Sequence, residues 1–406
     1  MRSSGPEAAH GAAPDVLAPP PRHPRFPHSD GVRGLAAIAV VVVHSWLFAG
    51  GGGLDGSLGD HAVVRLDSMV AIFFLLSAFL LYRPMIAHRA GGPTAPRVRD
   101  FARRRFLRIY PAYWVALTVL AIVPGLVGVF SGKWWVFYSL GEYLHPLTHT
   151  SACDGGPGYN CGLLQSWTLT VEVTFYLVLP LYAALTATLA RRLDVRGWMR
   201  AELSLIAILA LTSMVLAGPL SLRDESWFNY SFAAHLDWLG LGLAMAVLSV
   251  VYGRREEALP PWLRFLASRP GLCWAGAFSI YAVTVVAFPP IPFTVAPFTT
   301  PQFLGIHLAQ CGVAALLLIP VAFGDPNFGL PRRILANPLL LWLGLVSYGF
   351  YLWQVTIGIK LGFGGAEAGF LTILIGTSAV ALPLAAASYY LIERPLMSLK
   401  YRTNQK

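Results

Sequence analysis

Arg33 and His44 are the residues of the first apolar segment whose types could do chemistry. An α-helix turns by about 100° per residue, so two positions eleven apart lie on nearly the same face, separated by about 16 Å along the axis. A guanidinium binds phosphate through paired N–H donors, and a neutral imidazole can take the proton of a hydroxyl. This spacing predicts one helical face that suits an extended anionic molecule, with its phosphates at Arg33 and its reactive end at His44.

A second group of cations precedes the third apolar segment. Arg105 and Arg108 stand three residues apart, so they share a face if this segment is helical. We expect them to join Arg33 in binding the phosphates of a cofactor. The alternative is a basic cluster that only orients the chain in a membrane and contacts anionic lipids.

The composition indicates which elements must position these residues. The chain is 56% hydrophobic and 12% charged, whereas a soluble domain has about 25% charged residues. Its apolar residues occur in repeated runs of about 20, the length that spans a hydrocarbon core of about 30 Å. Such runs must be helical, because backbone polar groups in lipid have to be bonded within the segment. The sequence therefore predicts an all-α membrane protein.

About ten transmembrane helices form the predicted polytopic bundle. We expect residues 1–28 to be a disordered cytoplasmic tail, residues 29–396 the membrane domain and residues 397–406 a second cytoplasmic tail. The ten predicted spans are 34–51, 66–82, 109–130, 167–189, 202–220, 232–252, 271–289, 303–323, 339–359 and 368–391.

The basic residues orient this bundle. With the N-terminus inside, 26 of the 30 Lys and Arg residues fall in inner segments, and only Arg65, Lys133, Arg223 and Lys360 fall in outer ones. Because cytoplasmic loops are enriched in Lys and Arg, both termini are predicted to be cytoplasmic. The same asymmetry accounts for the net charge of +10, so no nucleic-acid partner is expected.

Three further expectations follow from this topology. Glu172 and His44 each lie about six residues below the outer end of a span, so Glu172 could orient His44; bonds from Glu172 to Trp or Tyr side chains are the alternative. Ser29 or Asp30 is expected to cap the first helix, and Glu393 to pair with one of the inner arginines.

The four cysteines have no metal-binding spacing, and no metal is predicted. Cys153 and Cys161 share an outer loop, where a disulfide is possible.

Several sequence motifs recur along the chain in a recognisable order. Together they resemble the motifs of acyltransferase family 3, a family of integral membrane proteins. They are DGVRG at 30–34 followed by His44, FFLLSAFL at 73–80, RRFLRIYPAY at 104–113, SWTLTVE at 166–172 with Phe175, Tyr176 and Pro180, SYGFYLWQ at 347–354 and YLIERP at 390–395.

This resemblance implies transfer of an acyl group from acyl-CoA, with acetyl-CoA the expected donor, to a hydroxyl group. It assigns the role of base to His44, and we expect Trp167, Tyr176 and Gln354 to contact the substrate. Relatives often have His at the position of Gln354, but a glutamine can also hydrogen-bond a hydroxyl. Some relatives carry an additional soluble domain after the last helix. The expected location is the bacterial cytoplasmic membrane.

Two alternatives stay open for the function. The expected acceptor is a carbohydrate or glycolipid of the cell envelope, and the runner-up is a secondary metabolite such as a macrolide. A non-catalytic transporter of a glycan or lipid is the alternative of another class, since His44, Glu172 and helix-breaking Pro and Gly also suit a proton-coupled carrier. Paired inverted repeats would favour the transporter, and the sequence shows none.

Overall fold

The computed structural model describes residues 26, 28–50, 57–143, 161–220, 222, 226–253, 258–288, 299–362 and 368–402. Within these ranges, ten helices are long and apolar enough to cross a membrane. The only pairing of strand type among these residues is an isolated bridge between Val127 and Cys161. The all-α, ten-helix prediction is therefore confirmed.

The membrane helices are numbered here in chain order, and shorter helices connect them. The ten are α1 Ser29–Phe48, α2 Met69–Ile86, α3 Val98–Ile122, α4 Ser166–Ala190, α5 Val195–Ala217, α6 Leu236–Tyr252, α7 Pro270–Ala287, α8 Thr300–Ala322, α9 Pro338–Gly362 and α10 Phe370–Ser388. The shorter ones include Leu58–Arg65, Trp134–Tyr138, Pro261–Ala267 and Leu330–Leu335, and α10 continues through a π-helical turn, Tyr389–Glu393, into Arg394–Arg402.

The largest difference from the predicted spans is at α3. The predicted span was 109–130, but the helix begins at Val98 and ends at Ile122. Its first three turns carry the basic residues, whose long side chains can reach out of the apolar region while the backbone stays helical. Hydropathy predicts which residues lie in lipid and not which residues are helical. The predicted span therefore did not include the inner end of this helix.

Both expected tails lie partly within the described residues. Phe26 is buried and packs edge-on against Phe79, with ring centroids 4.8 Å apart. His28 bonds the Pro326 carbonyl oxygen through Nε2 at 2.8 Å. At the other end, Met397 contacts Arg108. The packed part of the chain therefore begins before residue 29 and continues beyond residue 396.

Glycines bring α1 and α9 into direct backbone contact. A Cβ atom on Gly34 would lie 2.4 Å from the carbonyl oxygen of Leu340 in α9, and one on Gly31 would lie 2.1 Å from that of Leu335, in the short helix just before α9. From the opposite side, a Cβ on Gly344 would lie 1.9 Å from the Asp30 carbonyl oxygen. Only hydrogen fits at these three positions, which explains the glycines of the DGVRG motif physically. The contact fixes the register between the two helices.

The outer end of α4 lies below the outer ends of its neighbours. We call the side where α1 begins the inner face, which is the predicted cytoplasmic side, so α9 runs from the inner to the outer face. Gln165, just before α4, donates through Nε2 to the carbonyl oxygen of Leu352 in α9 at 2.7 Å. Thr170 donates to the Leu140 carbonyl oxygen at 2.8 Å. α4 therefore begins deeper in the bundle than the outer end of α9, and the residue just before it, Gln165, already lies inside the bundle.

Candidate active site

His44 and Gln354 meet across the packed pair of α1 and α9. Nε2 of Gln354 lies 2.7 Å from Nδ1 of His44. The Gln354 side chain is completely buried, and the imidazole stacks on Phe48 with ring centroids 6.0 Å apart. Glycines hold the two helix backbones together closer to the inner face. They therefore fix which two side chains meet here and the depth at which they meet.

A narrow cavity lies along the face of α1 that connects Arg33 with His44. Its volume is about 10 Å³, close to the space of a single water molecule. The wall contributed by α1 consists of Ala37, Val40 and Val41, which follow Arg33 at helical spacing. Phe73, Phe350, Tyr351 and Gln354 complete the lining. The predicted face therefore borders a gap in the packing midway between its cation and its imidazole.

Arg33 lies at the inner end of this face. Its Nη1 donates to Oδ1 of Asp30 at 2.8 Å, and a quarter of its side chain is exposed. Asp30 was expected to be a candidate helix cap, but the N-cap position is His28, which makes no side-chain capping bond. The prediction of a cap at Ser29 or Asp30 was wrong, because the helix begins one residue earlier and its first carboxylate turns to the guanidinium instead.

Arg108 lies close to this pair. Its Nη1 is 3.4 Å from Oε2 of Glu393, which confirms that Glu393 pairs with an inner arginine. Asp30 also interacts with Arg108 electrostatically. The Arg108 side chain is 26% exposed, whereas that of Glu393 is 1% exposed. Two partly exposed guanidinium groups from α1 and α3 thus share one inner region.

Arg105 joins a separate chain of polar side chains. Its guanidinium lies over the ring of Tyr176, 5.8 Å from the centroid. The Tyr176 hydroxyl donates to Oε1 of Glu172, and Ser77 donates to the same oxygen at 2.9 Å. Glu172 therefore bonds a tyrosine and a serine between helices, which is the alternative arrangement considered for it.

Glu172 does not bond His44 among the described contacts, because the two groups lie at different depths. Gln165 bonds the carbonyl oxygen of Leu352 on α9, two residues before Gln354. Glu172 follows Gln165 by seven residues, about 10 Å along a helix that runs inward, so Glu172 lies closer to the inner face than His44. Counting from the outer ends failed because α4 begins deeper in the bundle than α1 ends.

The three predicted substrate contacts are also separated. Gln354 bonds His44, and Tyr176 lies with Arg105 toward the inner side. Trp167 lies at the outer end of α4, with its ring centroid 5.4 Å from that of His235 and 5.5 Å from that of Tyr230. Gln354 and Trp167 therefore lie in the outer half of the bundle, and Tyr176 lies toward the inner face.

Sequence reasoning missed a buried imidazole–carboxylate pair in the outer half of the bundle. Nε2 of His307 in α8 lies 2.7 Å from Oδ2 of Asp237 in α6, and Cys311 donates to the same oxygen at 3.5 Å. The His307 ring stacks on Trp238, with centroids 4.6 Å apart. Ionisable residues within apolar spans were the available signal, but the spans did not reveal which helices pack together.

The possible disulfide falls mostly outside the described residues. Cys161 is disulfide-bonded, whereas Cys273 and Cys311 are free thiols. Cys153, its expected partner, lies outside the described residues.

Comparison with known proteins gives consistent matches over nearly the whole chain. A family profile described as an acyltransferase domain matches residues 27–391. Nodulation protein 10 of Rhizobium leguminosarum bv. viciae is 28% identical over 393 residues, which cover 91% of this chain and 93% of the relative. An acyltransferase of Streptomyces mycarofaciens is 27% identical over 417 residues, covering 94% of each chain.

Other relatives are longer than this chain. A putative peptidoglycan O-acetyltransferase of Bacillus subtilis is 25% identical over 402 residues, covering 94% of this chain but 56% of the relative. A peptidoglycan O-acetyltransferase of Listeria monocytogenes is 24% identical over 355 residues, which cover 82% of this chain and 49% of the relative. No solved structure matches. The chain belongs to the acyltransferase 3 family of multi-pass membrane proteins and is an O-acyltransferase.

Proposed function

We propose that the protein transfers an acetyl group from acetyl-CoA to a hydroxyl of a carbohydrate or glycolipid of the bacterial cell envelope. The observation that carries this proposal is the face of α1 between Arg33 and His44, which borders a cavity of about 10 Å³ midway between these two residues. An acyl-CoA has phosphates at one end, a narrow arm and a thioester at the other end. Its length and charge distribution match this face.

The inner end supports the assignment of the phosphates. Arg33 and Arg108 are each about one-quarter exposed, so both can contact a ligand without leaving their carboxylate partners. Arg105 stands one turn before Arg108 on α3 and is the third candidate. Glu172 supports this end by bonding Tyr176, over which Arg105 lies. In this proposal Glu172 acts on donor binding and not on the imidazole.

The reaction requires one proton to move twice. The acceptor oxygen attacks the thioester carbonyl carbon while His44 takes the hydroxyl proton. The carbon–sulfur bond then breaks, and the thiolate of coenzyme A receives that proton from the imidazolium. The products are an ester and the coenzyme A thiol, so no oxidant, metal or net proton change is needed.

The choice of acceptor rests on the relatives. Two of them are named as peptidoglycan O-acetyltransferases, one of these as putative, and a third is named as an exopolysaccharide production protein. Trp167 supports access from the outer side, since it faces Tyr230 and His235 there. A multi-pass protein of the bacterial cytoplasmic membrane with an acceptor in the envelope fits these observations.

Blocking the cavity tests the donor path. Ala37→Phe would fill the gap between Arg33 and His44, so we expect acetyl transfer to fall at least tenfold, the equivalent of about 1.4 kcal/mol. His44→Ala should also lower transfer, because it removes a base that contributes about 10²–10⁴-fold to the rate. Ile38→Phe is the matched control, because Ile38 is 40% exposed on the other side of the same helix. The measurement is transfer of labelled acetyl from acetyl-CoA in membranes from an expressing strain, compared with a deletion strain.

Three results would count against this proposal. Undiminished transfer by folded Ala37→Phe and Ala37→Leu proteins would exclude the cavity as the path. Mass spectrometry of the envelope and of secreted metabolites from the deletion strain identifies the acceptor. Loss of acetyl groups only from a macrolide-like metabolite would replace the envelope acceptor. Movement of an acceptor without release of coenzyme A would favour a transporter.

A further inference from the structure

The bond between Gln354 and His44 has a consequence for which imidazole nitrogen reacts. Gln354 contacts Nδ1 at 2.7 Å, and this is the hydrogen bond that the described residues give His44. Nδ1 is therefore occupied within the protein, and the opposite nitrogen, Nε2, is the one directed away from α9. The tautomer of a histidine is set by the partner of its other nitrogen.

An amide is an unusual partner for this purpose, because it carries both a donor and an acceptor. With its nitrogen toward the ring, Gln354 donates to an unprotonated Nδ1; rotated by half a turn, its oxygen accepts from Nδ1–H. A carboxylate can only accept, so it favours the protonated ring. The first orientation places the ring proton on Nε2, whereas the second leaves the lone pair of Nε2 free to take a proton, so the orientation of the amide selects the tautomer.

Two carboxylates of the neighbouring helices, those of Asp60 and Glu172, are already bonded elsewhere. Oδ1 of Asp60 accepts from Nε1 of Trp46, two residues from His44 on α1. Glu172 accepts from Ser77 and Tyr176, nearer the inner face. The remaining ring contact of His44 is Phe48, which is apolar. Among the described residues, the orienting group of His44 is therefore an amide.

We propose that Gln354 is the positioning residue of His44: with its amide turned so that Oε1 accepts from Nδ1–H, it directs the lone pair of Nε2 toward the acceptor hydroxyl, and it keeps this bond after Nε2 takes the proton. This inference rests on the proposed role of His44 as the base. It replaces the expectation that Gln354 contacts the substrate. Gln354 itself touches no reacting atom in this arrangement.

Two substitutions separate positioning from structural support. Gln354→Met keeps the length of the side chain but cannot bond Nδ1. We expect kcat to fall about 10–100-fold, because the loss of the group that orients a histidine has an effect of this size. KM for acetyl-CoA should stay nearly unchanged. Gln354→Glu supplies an acceptor only. We expect it to retain activity at high pH and to move the acidic limb of the kcat/KM profile upward by at least about one pH unit.

The matched control is another buried glutamine. Gln310 in α8 donates to Oδ1 of Asp67 at 3.0 Å and lies outside the proposed site. Gln310→Met should lower the melting temperature without moving the pH profile. A structural role for Gln354 would instead give the same result in both glutamine variants.

A readout independent of activity completes the test. Nitrogen-15 NMR of histidine-labelled protein in lipid discs, with His44→Ala to assign the signal, reports which nitrogen is protonated. We expect one dominant tautomer in the parent and a mixture in Gln354→Met. An unchanged tautomer and pH profile in both Gln354 variants would overturn the inference, while loss of donor-dependent transfer in the parent protein would overturn the proposed function instead.

Discussion

At the scale of single residues, Arg108 forms an ion pair with Glu393 and is also proposed to bind the donor. Its guanidinium neutralises Glu393, whose side chain is almost completely buried, and a quarter of its own surface remains exposed. The first function concerns stability, because an unpaired buried carboxylate is costly. The second concerns the donor, because an exposed guanidinium can bind phosphate. Only a double substitution can distinguish them.

We expect Arg108→Ala to lower stability by roughly 3 kcal/mol, since it leaves Glu393 without its cation. It should also raise KM for acetyl-CoA about tenfold, the equivalent of one lost charge-assisted hydrogen bond. Adding Glu393→Gln should restore much of the stability but leave KM high. Thermal unfolding and initial rates measure the two effects. Recovery of KM in the double variant would show that Arg108 does not bind the donor.

At the scale of elements, the contact between α1 and α9 positions the site. Gly34 and Gly344 form this contact toward the inner face and Gly362 forms it at the outer end, and the paired side chains of His44 and Gln354 lie between them. A change in helix separation at the glycines would therefore be transmitted to the imidazole. The two helices act as one rigid support for the proposed base.

Gly344→Ala tests this support. Its Cβ would lie 1.9 Å from a backbone oxygen, which cannot rotate away, so the helices must separate. We expect a loss of about 1–3 kcal/mol of stability and a fall in kcat. Gly271→Ala in α7 is the control, since nothing lies within 4 Å of its added Cβ. Equal melting temperatures for the two variants would contradict the close contact.

At the scale of the whole molecule, the number of helices and their orientation in the membrane rest on different observations. The ten helices follow from apolar runs that the structure contains, whereas the orientation follows only from the distribution of Lys and Arg. With an even number of helices, both termini are predicted to lie on one face. The assignment of that face to the cytoplasm is a prediction from the positive-inside rule.

Reporter fusions test the orientation. We expect green fluorescent protein fused after Lys406 to fluoresce and alkaline phosphatase at the same position to be inactive, because the C-terminus is predicted to be cytoplasmic. Fusions after Gly362, at the outer end of α9, should show the reverse. Active phosphatase after Lys406 would invert the topology and move His44 to the cytoplasmic half.

The sequence by itself determined the parts of this protein that depend on local chemistry. Apolar length predicted ten helices, and helical spacing placed Arg33 and His44 on one face, which the structure lines with Ala37 and Val41. The motif order indicated the family before any comparison. These predictions succeed because membrane insertion and helical periodicity act over neighbouring residues.

Only the tertiary structure decided which side chains meet. The sequence suggested Glu172 as the partner of His44, but the depth at which α4 begins gives that position to Gln354. The pairing of His307 with Asp237 likewise depends on the packing of α6 beside α8. Relative depth and adjacency of helices arise from contacts between distant segments, such as the glycine contact of α1 with α9, and no local pattern contains them.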